Sequence, residues 1–494
     1  VGLPPCGKPA LRLALAKLRN QSEKTPYRDL KRATTIGYEK QLYKITFFQK
    51  RPFMPRTSFR RFCAIAALTV AGLSMDLATA QTAAGAAPAV SRFNSGDTAW
   101  MLMSSVLVLL MTVPGIMLFY SGMLRTKNAL SVVAHTFAAI TVVTLAWTML
   151  GYSLAFTDGN PLVGGLERVL AEGLIGPRVG AHPSAPTVPE SVFFLFQLGF
   201  AIITFALIIG ATVERMRMSA TMFFAAFWTI LVYAPVAHWI WQPTGWLAAM
   251  GHMDFAGGTV VHIAAGASGL VAAKVIGPRQ GFGKEPMVPH NVLITVIGAG
   301  LLWAGWFGFN AGSAFEAGSR AAGALLATQI AACVAAFIWG LCEFVQRGQF
   351  SVLGMATGAI AGLVAVTPAS GYVGPMGAAV IGTAGGVACF LAVTRFKRAT
   401  GIDDSLDVFT LHGVGGLVGT ILTPLLALPE IAPVTASLVT NVLGALTVMA
   451  YAGAMTWVIL LVVKPLAGLR VTQDEEKIGL DIAQHGEMIA GASH

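Results

Sequence analysis

The sequence predicts an all-α polytopic membrane protein with eleven transmembrane helices, its N-terminus outside and its C-terminus inside. Three observations carry that expectation. Apolar stretches of spanning length recur between residues 99 and 466, charged residues are scarce, and basic residues concentrate in alternate loops. Of 494 residues, 55% are hydrophobic, 11% are charged and 55 are glycine. A soluble chain this apolar would aggregate, whereas a bilayer accepts it and uses glycine where helices pack closely. The net charge of +10 does not point to nucleic acid. Residues 1–62 hold 15 of the 33 Lys and Arg but only Glu23, Asp29 and Glu39 among the acids, so the remainder is close to neutral.

In chain order, residues 1–53 are polar and basic and read as an N-terminal extension, either disordered or an over-extended gene start. Met54 is the first methionine. Arg56, Arg60 and Arg61 then precede an apolar run from Phe62 to Leu73, and Ala78-Thr79-Ala80 stands before Gln81. That order predicts a signal peptide over 54–80, with mature protein beginning at Gln81. Residues 81–98 read as a periplasmic linker, 99–466 as the membrane domain and 467–494 as a cytoplasmic tail. Spans are expected at 99–122, 129–153, 190–212, 218–241, 257–277, 290–313, 320–346, 351–369, 373–396, 406–428 and 436–466.

Loop charge orients them. Odd-numbered loops carry Arg125, Lys127, Arg215, Arg217, Arg279, Lys284, Arg347, Arg395, Lys397 and Arg398, while even-numbered loops carry only Arg168, Arg178 and Arg320. The odd loops are therefore expected in the cytoplasm. A cleaved signal peptide delivers the same topology. Cys6, Cys63, Cys333, Cys342 and Cys389 show no metal-ligand spacing and read as structural.

An internal repeat is visible. Asp254 precedes His262 by the same interval that separates Asp404 from His412, and Phe119-Tyr-Ser-Gly122 in the first span answers Phe309-Asn-Ala-Gly312 in the sixth. Spans one to five thus read as a repeat of six to ten, with the eleventh extra. Because five is odd, the second copy must be inverted, and inverted repeats place their shared site near the bilayer midplane. His262 and His412 are expected to meet there.

Ionisable groups within spans are costly and are usually functional. His135 reads as a hydrogen-bonded packing residue, and Glu343 lies near the end of the seventh span. The matched spacing of His262 and His412 favours function. Two neutral imidazoles sharing one hydrogen bond suit a small neutral molecule that both donates and accepts. A metal is less suited, since no third ligand lies at helical spacing beside either. Phe196 and Phe200 share one helical face. Phe200, Trp241 and Ser313, if they converge, would form a cation-recognising vestibule of aromatic faces and a hydroxyl acceptor.

On these residues the chain resembles the ammonium transporter (Amt/Mep/Rh) family, specifically its bacterial Amt branch. The matching stretches are Pro114–Gly122, Gly210–Arg215, Asp254–His262, Gly305–Ser313, Asp403–Gly413 and Gly479–Glu487. The resemblance extends from about Asp97 to Glu487. It implies an external ammonium-recruitment site at Phe200, Trp241 and Ser313, with Phe196 helping to form a constriction. It further implies pore aromatics at Phe119, Tyr233, Trp306 and Phe309, a pore histidine pair at His262 and His412, and an electrostatic and structural role for Asp254. A homotrimer is implied, as is control by a PII-type protein docking on loops such as 395–405 and on the tail 466–494. Neither cofactor nor enzymatic activity is implied.

The expected mechanism recruits ammonium outside, removes its proton and passes ammonia along the histidines, because an intact ion at an apolar constriction is costly. Whether the proton follows separately stays open. Three alternatives remain: an intramembrane enzyme, for which no nucleophile–base pair is found; a sensor, against which the short tail counts; and a transporter of another small cation.

Overall fold

Every backbone N–H and C=O in hydrocarbon needs a partner within the protein, so long uncharged apolar stretches become helices. The computed structural model describes residues 93–176, 179–431 and 437–489, and the expected extension, signal peptide and residues 81–92 of the linker lie outside them. Among the described residues ten helices are long and apolar enough to cross a membrane. They are α1 (Ser95–Met123), α2 (Thr126–Phe156), α3 (Glu190–Thr212), α4 (Met218–Ala249), α5 (Gly258–Ile276), α6 (Val292–Gly312), α7 (Ser319–Arg347), α9 (Pro375–Thr400), α10 (Phe409–Leu426) and α11 (Leu438–Ala467). Between α7 and α9 lies the shorter apolar α8, Val352–Val366. A short α12, Gln473–Ile478, follows in the tail, opened by a capping box between Thr472 and Glu475.

Helix α8 has 15 residues. At 1.5 Å per residue it covers about 22 Å, short of the roughly 30 Å hydrocarbon core. Residues 367–371 continue it as a buried turn, and the Pro368 carbonyl accepts a hydrogen bond from Phe255 N. Irregular backbone at membrane depth is tolerated where protein encloses it. Helix α1 bends at Val113, whose φ of −119° and ψ of 100° break the helical path beside Pro114.

Glycines set the closest approaches. A Cβ on Gly122 would strike Asn291 and Thr295 at the start of α6, and one on Gly312 would strike Ser104 near the start of α1. The two F-x-x-G pieces therefore pack α1 and α6 antiparallel. A Cβ on Gly266 would collide with the backbone of Gly413, so α5 and α10 touch main chain to main chain. Across this contact Asn441 of α11 holds three partners: it accepts from Met253 N at 2.9 Å and donates to the carbonyls of Met253 at 3.1 Å and Thr420 at 2.9 Å.

Charge collects at one end of the bundle. Glu214, after α3, accepts from Arg125 at 2.6 Å and from Arg279 at 3.3 Å, while Arg279 also pairs with Asp403 at 2.8 Å. Arg215 is fully enclosed and donates to the carbonyls of Gly277 and Asp403 and to the Ser405 hydroxyl. The tail closes over this network. Asp481 accepts from Leu130 N and Ser131 N at the start of α2, and Lys127 reaches the carbonyls of Glu476 and Lys477. Glu343 caps the start of α8 through Ser351 and pairs with Arg347.

Burial alone would raise the Glu214 and Asp403 carboxyls. Arg279, with Arg125 at Glu214 and Arg215 at Asp403, outweighs it and holds both below the usual carboxylate range. Their contribution to stability is therefore present above about pH 4, the ordinary carboxyl value, and is lost as pH falls through the lower folded-state values. Acidification toward about pH 3.5 should thus lower the melting midpoint of the detergent-solubilised protein. Glu214→Gln should melt lower than wild type at pH 6 and lose less on acidification, which thermal unfolding at both pH values checks.

Candidate functional site

The site begins at two aspartates that cap helix starts. The Asp254 carboxylate accepts four backbone hydrogen bonds: Oδ1 from Gly257 N at 2.9 Å and Gly258 N at 2.6 Å, and Oδ2 from Thr259 N at 2.9 Å and Val260 N at 3.0 Å. Gly257 takes a φ of 108° to allow this, a value that favours glycine. Helix α5 then opens with a π turn, Gly258–Ile263, that carries His262. Asp404 occupies the matching place before α10. Its Oδ2 accepts from Phe409 N at 2.8 Å, and α10 opens with a π turn, Phe409–Gly413, that carries His412. Such turns rotate a side chain off the regular helical face and recur at functional sites. Asp404 Oδ1, in contrast, is enclosed without a partner.

The two imidazoles meet. His412 Nδ1 lies 3.2 Å from His262 Nδ1, with ring centroids 5.2 Å apart and planes inclined by 23°. One Nδ1 donates and the other accepts, so a single proton is shared between two neutral rings. His262 also stacks on Trp306 at 5.4 Å, and Trp306 Nε1 donates to Thr367 Oγ1 at 2.9 Å, in the turn after α8. His262 Nε2 has no protein partner. A deep cavity of about 20 Å³ runs along the pair, lined by Phe119, Tyr120, Trp306, Phe309 and both histidines. It has room for a water-sized molecule and little more.

A second cavity, about 50 Å³, is lined by Phe200, Trp241, Ser313, Gln197, Phe193 and Phe255 among others. Trp241 meets Phe200 edge-on at 5.6 Å, and its Nε1 donates to the Asp254 carbonyl at 2.9 Å. Ser313 Oγ donates to the Phe309 carbonyl at 2.9 Å, which leaves its lone pairs free to accept. Phe200 belongs to this cavity and Phe309 to the deep one, and the two rings stack at 4.0 Å with a 10° tilt. One aromatic pair is thus the shared wall.

Residues 99–490 match the Ammonium Transporter Family. The chain belongs to that family. The putative ammonium transporter of Methanothermobacter thermautotrophicus is 43% identical over 405 residues, which is 80% of this chain and 98% of the relative. The ammonium transporter of Bacillus subtilis is 43% identical over 403 residues, covering 79% and 98%. Among solved structures, Saccharomyces cerevisiae Mep2 aligns with a TM-score of 0.71 at 35% identity, over 78% of this chain and 91% of its own. A sensor Amt protein aligns with a TM-score of 0.73 at 29% identity, over 79% and 98%. The protein is accordingly a multi-pass helical membrane protein of a family of transporters, not of enzymes.

Within this ammonium transporter family member, two of the expected pore aromatics stand apart from both cavities. Phe196 lines neither; it packs between Phe200 at 4.9 Å and Phe315 at 5.7 Å. Tyr233 is enclosed in a π turn against Trp147 at 5.8 Å and Trp228 at 6.2 Å, away from both linings. His135 makes a 2.9 Å hydrogen bond to Thr221 through Nδ1. Among the described residues no three His, Cys, Asp or Glu converge as metal ligands would. Sequence reasoning missed Gln197, Tyr120 and Phe255. Gln197 had a visible signal, an amide inside an apolar span between Phe196 and Phe200, whereas Phe255 and Tyr120 had none that separates lining from packing.

The two aspartates differ in what a neutral amide can replace. Asn at position 254 would keep one acceptor oxygen and turn an NH₂ toward two N–H groups, so Asp254→Asn should cost about 3 kcal/mol. Asp404→Asn can keep its oxygen on Phe409 N and should cost about 1 kcal/mol or less. Thermal unfolding of both variants checks the ranking, and equal losses would contradict the caps as described.

Proposed function

We propose that the protein transports ammonium or ammonia across a bacterial inner membrane. The observation that carries the reading is two cavities in series, divided by the Phe200–Phe309 stack, with the histidine pair 3.2 Å apart in the deeper one. Trp241 and Phe200 offer aromatic faces to a cation, and Ser313 offers a lone pair; each cation–π contact contributes about 0.5–2 kcal/mol. A permanent cation would face a cost of several kcal/mol or more in the apolar passage beyond. Ammonium escapes that cost by giving up its proton to water on the outer side of the stack. Ammonia then moves along His262 and His412, which accept and donate without carrying charge. Asp254 holds the Trp241 indole and the start of α5 in one loop.

The same reading includes eleven spans, with α8 and its buried turn counted as the eighth. The end bearing Arg125, Arg215 and Arg279 faces the cytoplasm, in line with the excess of positive charge there. Spans one to five and six to ten form inverted repeats; the capped π turns before His262 and His412 and the antiparallel F-x-x-G contacts support this. Residues 54–80 act as a signal peptide and 81–98 as a linker. The subunits form a homotrimer, and a PII-type protein acts on the docked tail and the loop 395–405. A sensor role is the competing reading.

The test is protein beginning at Gln81, reconstituted in liposomes, with His262→Ala beside it. An ammonium-induced current in wild type, reduced at least about tenfold in the variant, is expected if the released proton also crosses by way of this site. Faster internal alkalinisation without current would assign passage to ammonia alone. Neither signal from folded wild-type protein would overturn transport in favour of sensing.

A further inference from the structure

Ammonium presents four N–H donors in a tetrahedron, and three vestibule groups answer three of them: the Trp241 face, the Phe200 ring and the Ser313 oxygen. The Trp241 N–H and the Ser313 O–H are already committed to backbone carbonyls, so both groups act only as acceptors there. A fourth acceptor is present in the same lining. Gln197 of α3 is only 3% exposed, and its Oε1 is enclosed without a hydrogen-bond partner. Buried polar atoms are rarely left unmatched, and an unmatched one calls for an explanation. The terminal torsion of a glutamine is broad and close to two-fold, so the amide can bring its oxygen to a guest without disturbing the helix. The other polar lining group, Ser184, lies half-buried on the α2–α3 connection, where water can serve it.

We infer that Gln197 is a specificity-determining residue of the vestibule, its amide oxygen taking the fourth N–H of ammonium. The inference rests on recruitment at this vestibule and adds what that recruitment selects. Methylammonium has three N–H groups and a methyl, so in a site of four acceptors it always leaves one unmatched. A site that hydrogen-bonds every N–H of its substrate rejects the analogue lacking one more strongly than an apolar pocket rejects an added methyl. With Gln197 replaced by leucine, three acceptors remain and the methyl group has an apolar neighbour. The preference should then collapse.

The experiment measures half-saturation for ammonium and for methylammonium in liposomes carrying wild type, Gln197→Leu or Gln197→Glu. Gln197→Leu is expected to raise the ammonium value about tenfold while moving the methylammonium value by no more than about twofold. Gln197→Glu keeps an acceptor oxygen and is expected to keep the preference for ammonium. An unchanged ratio in Gln197→Leu, whether both values stay or both rise by the same factor, overturns the inference. So does a Gln197→Glu protein that loses the preference, a result readable even where the leucine variant does not assemble. Wild-type liposomes that take up neither ion would instead overturn the proposed function.

Discussion

For His262 Nδ1 to lie 3.2 Å from His412 Nδ1, two helices must bring their backbones into contact deep in the bundle. Much of the surrounding architecture follows from that demand. Gly266 and Gly413 have no side chain because the main chains touch there, and Gly416 lies against the Gly258 carbonyl and the His262 Cβ for the same reason. Both helices begin beside the contact, so each has unpaired N–H groups at its start that need acceptors at membrane depth. The aspartates eight residues before each histidine supply them. Asn441 of α11 then ties the Asp254 loop to α10 from the outside.

The spans were legible because their physics is local. A run of apolar residues between charged loops has one outcome in a bilayer, and Glu190–Thr212 forms the helix expected at 190–212. The histidine pair was legible from an equal interval to an aspartate, a pattern that survives without knowledge of packing. What the sequence hid depends on long-range fit. The π turns around His262 and His412 carry no composition signal, since an inserted residue is accommodated by its neighbours rather than announced by its own type. Pro368 and Gly371 announce the turn after α8, which passes beneath Phe255, but not that the helix would already end at Val366, short of the expected span 351–369. Tyr233 and Phe196 looked equivalent to the lining aromatics, and only tertiary packing separates a ring beside a cavity from one behind it.

Charge is segregated along the molecule. Glu214, Asp403, Arg125, Arg215 and Arg279 are matched to one another at one end, where they fasten α3, α5, α9, α10 and the tail. The deep cavity carries no formal charge in its lining, only aromatic rings, aliphatic groups and two imidazoles that share a proton. Under the proposed transport function, this contrast would make passage selective by solvation. A species that can shed its charge at the vestibule meets an apolar passage it can enter, and one that cannot meets the full cost of desolvation.

Asp254 links the two halves of that division. Its side chain is saturated by four N–H groups, of Gly257 and the first three residues of α5, so it has no lone pair left at good geometry for a passing cation. Its carbonyl, meanwhile, accepts from the Trp241 indole. One residue therefore sets both the position of the vestibule's largest aromatic face and the rotation of the helix turn that presents His262. Under the proposed recruitment at this vestibule, Asp254 would act through its charge and through Trp241 rather than by direct contact. Any disturbance of its cap must reach vestibule and histidine together, because the same few residues hold both.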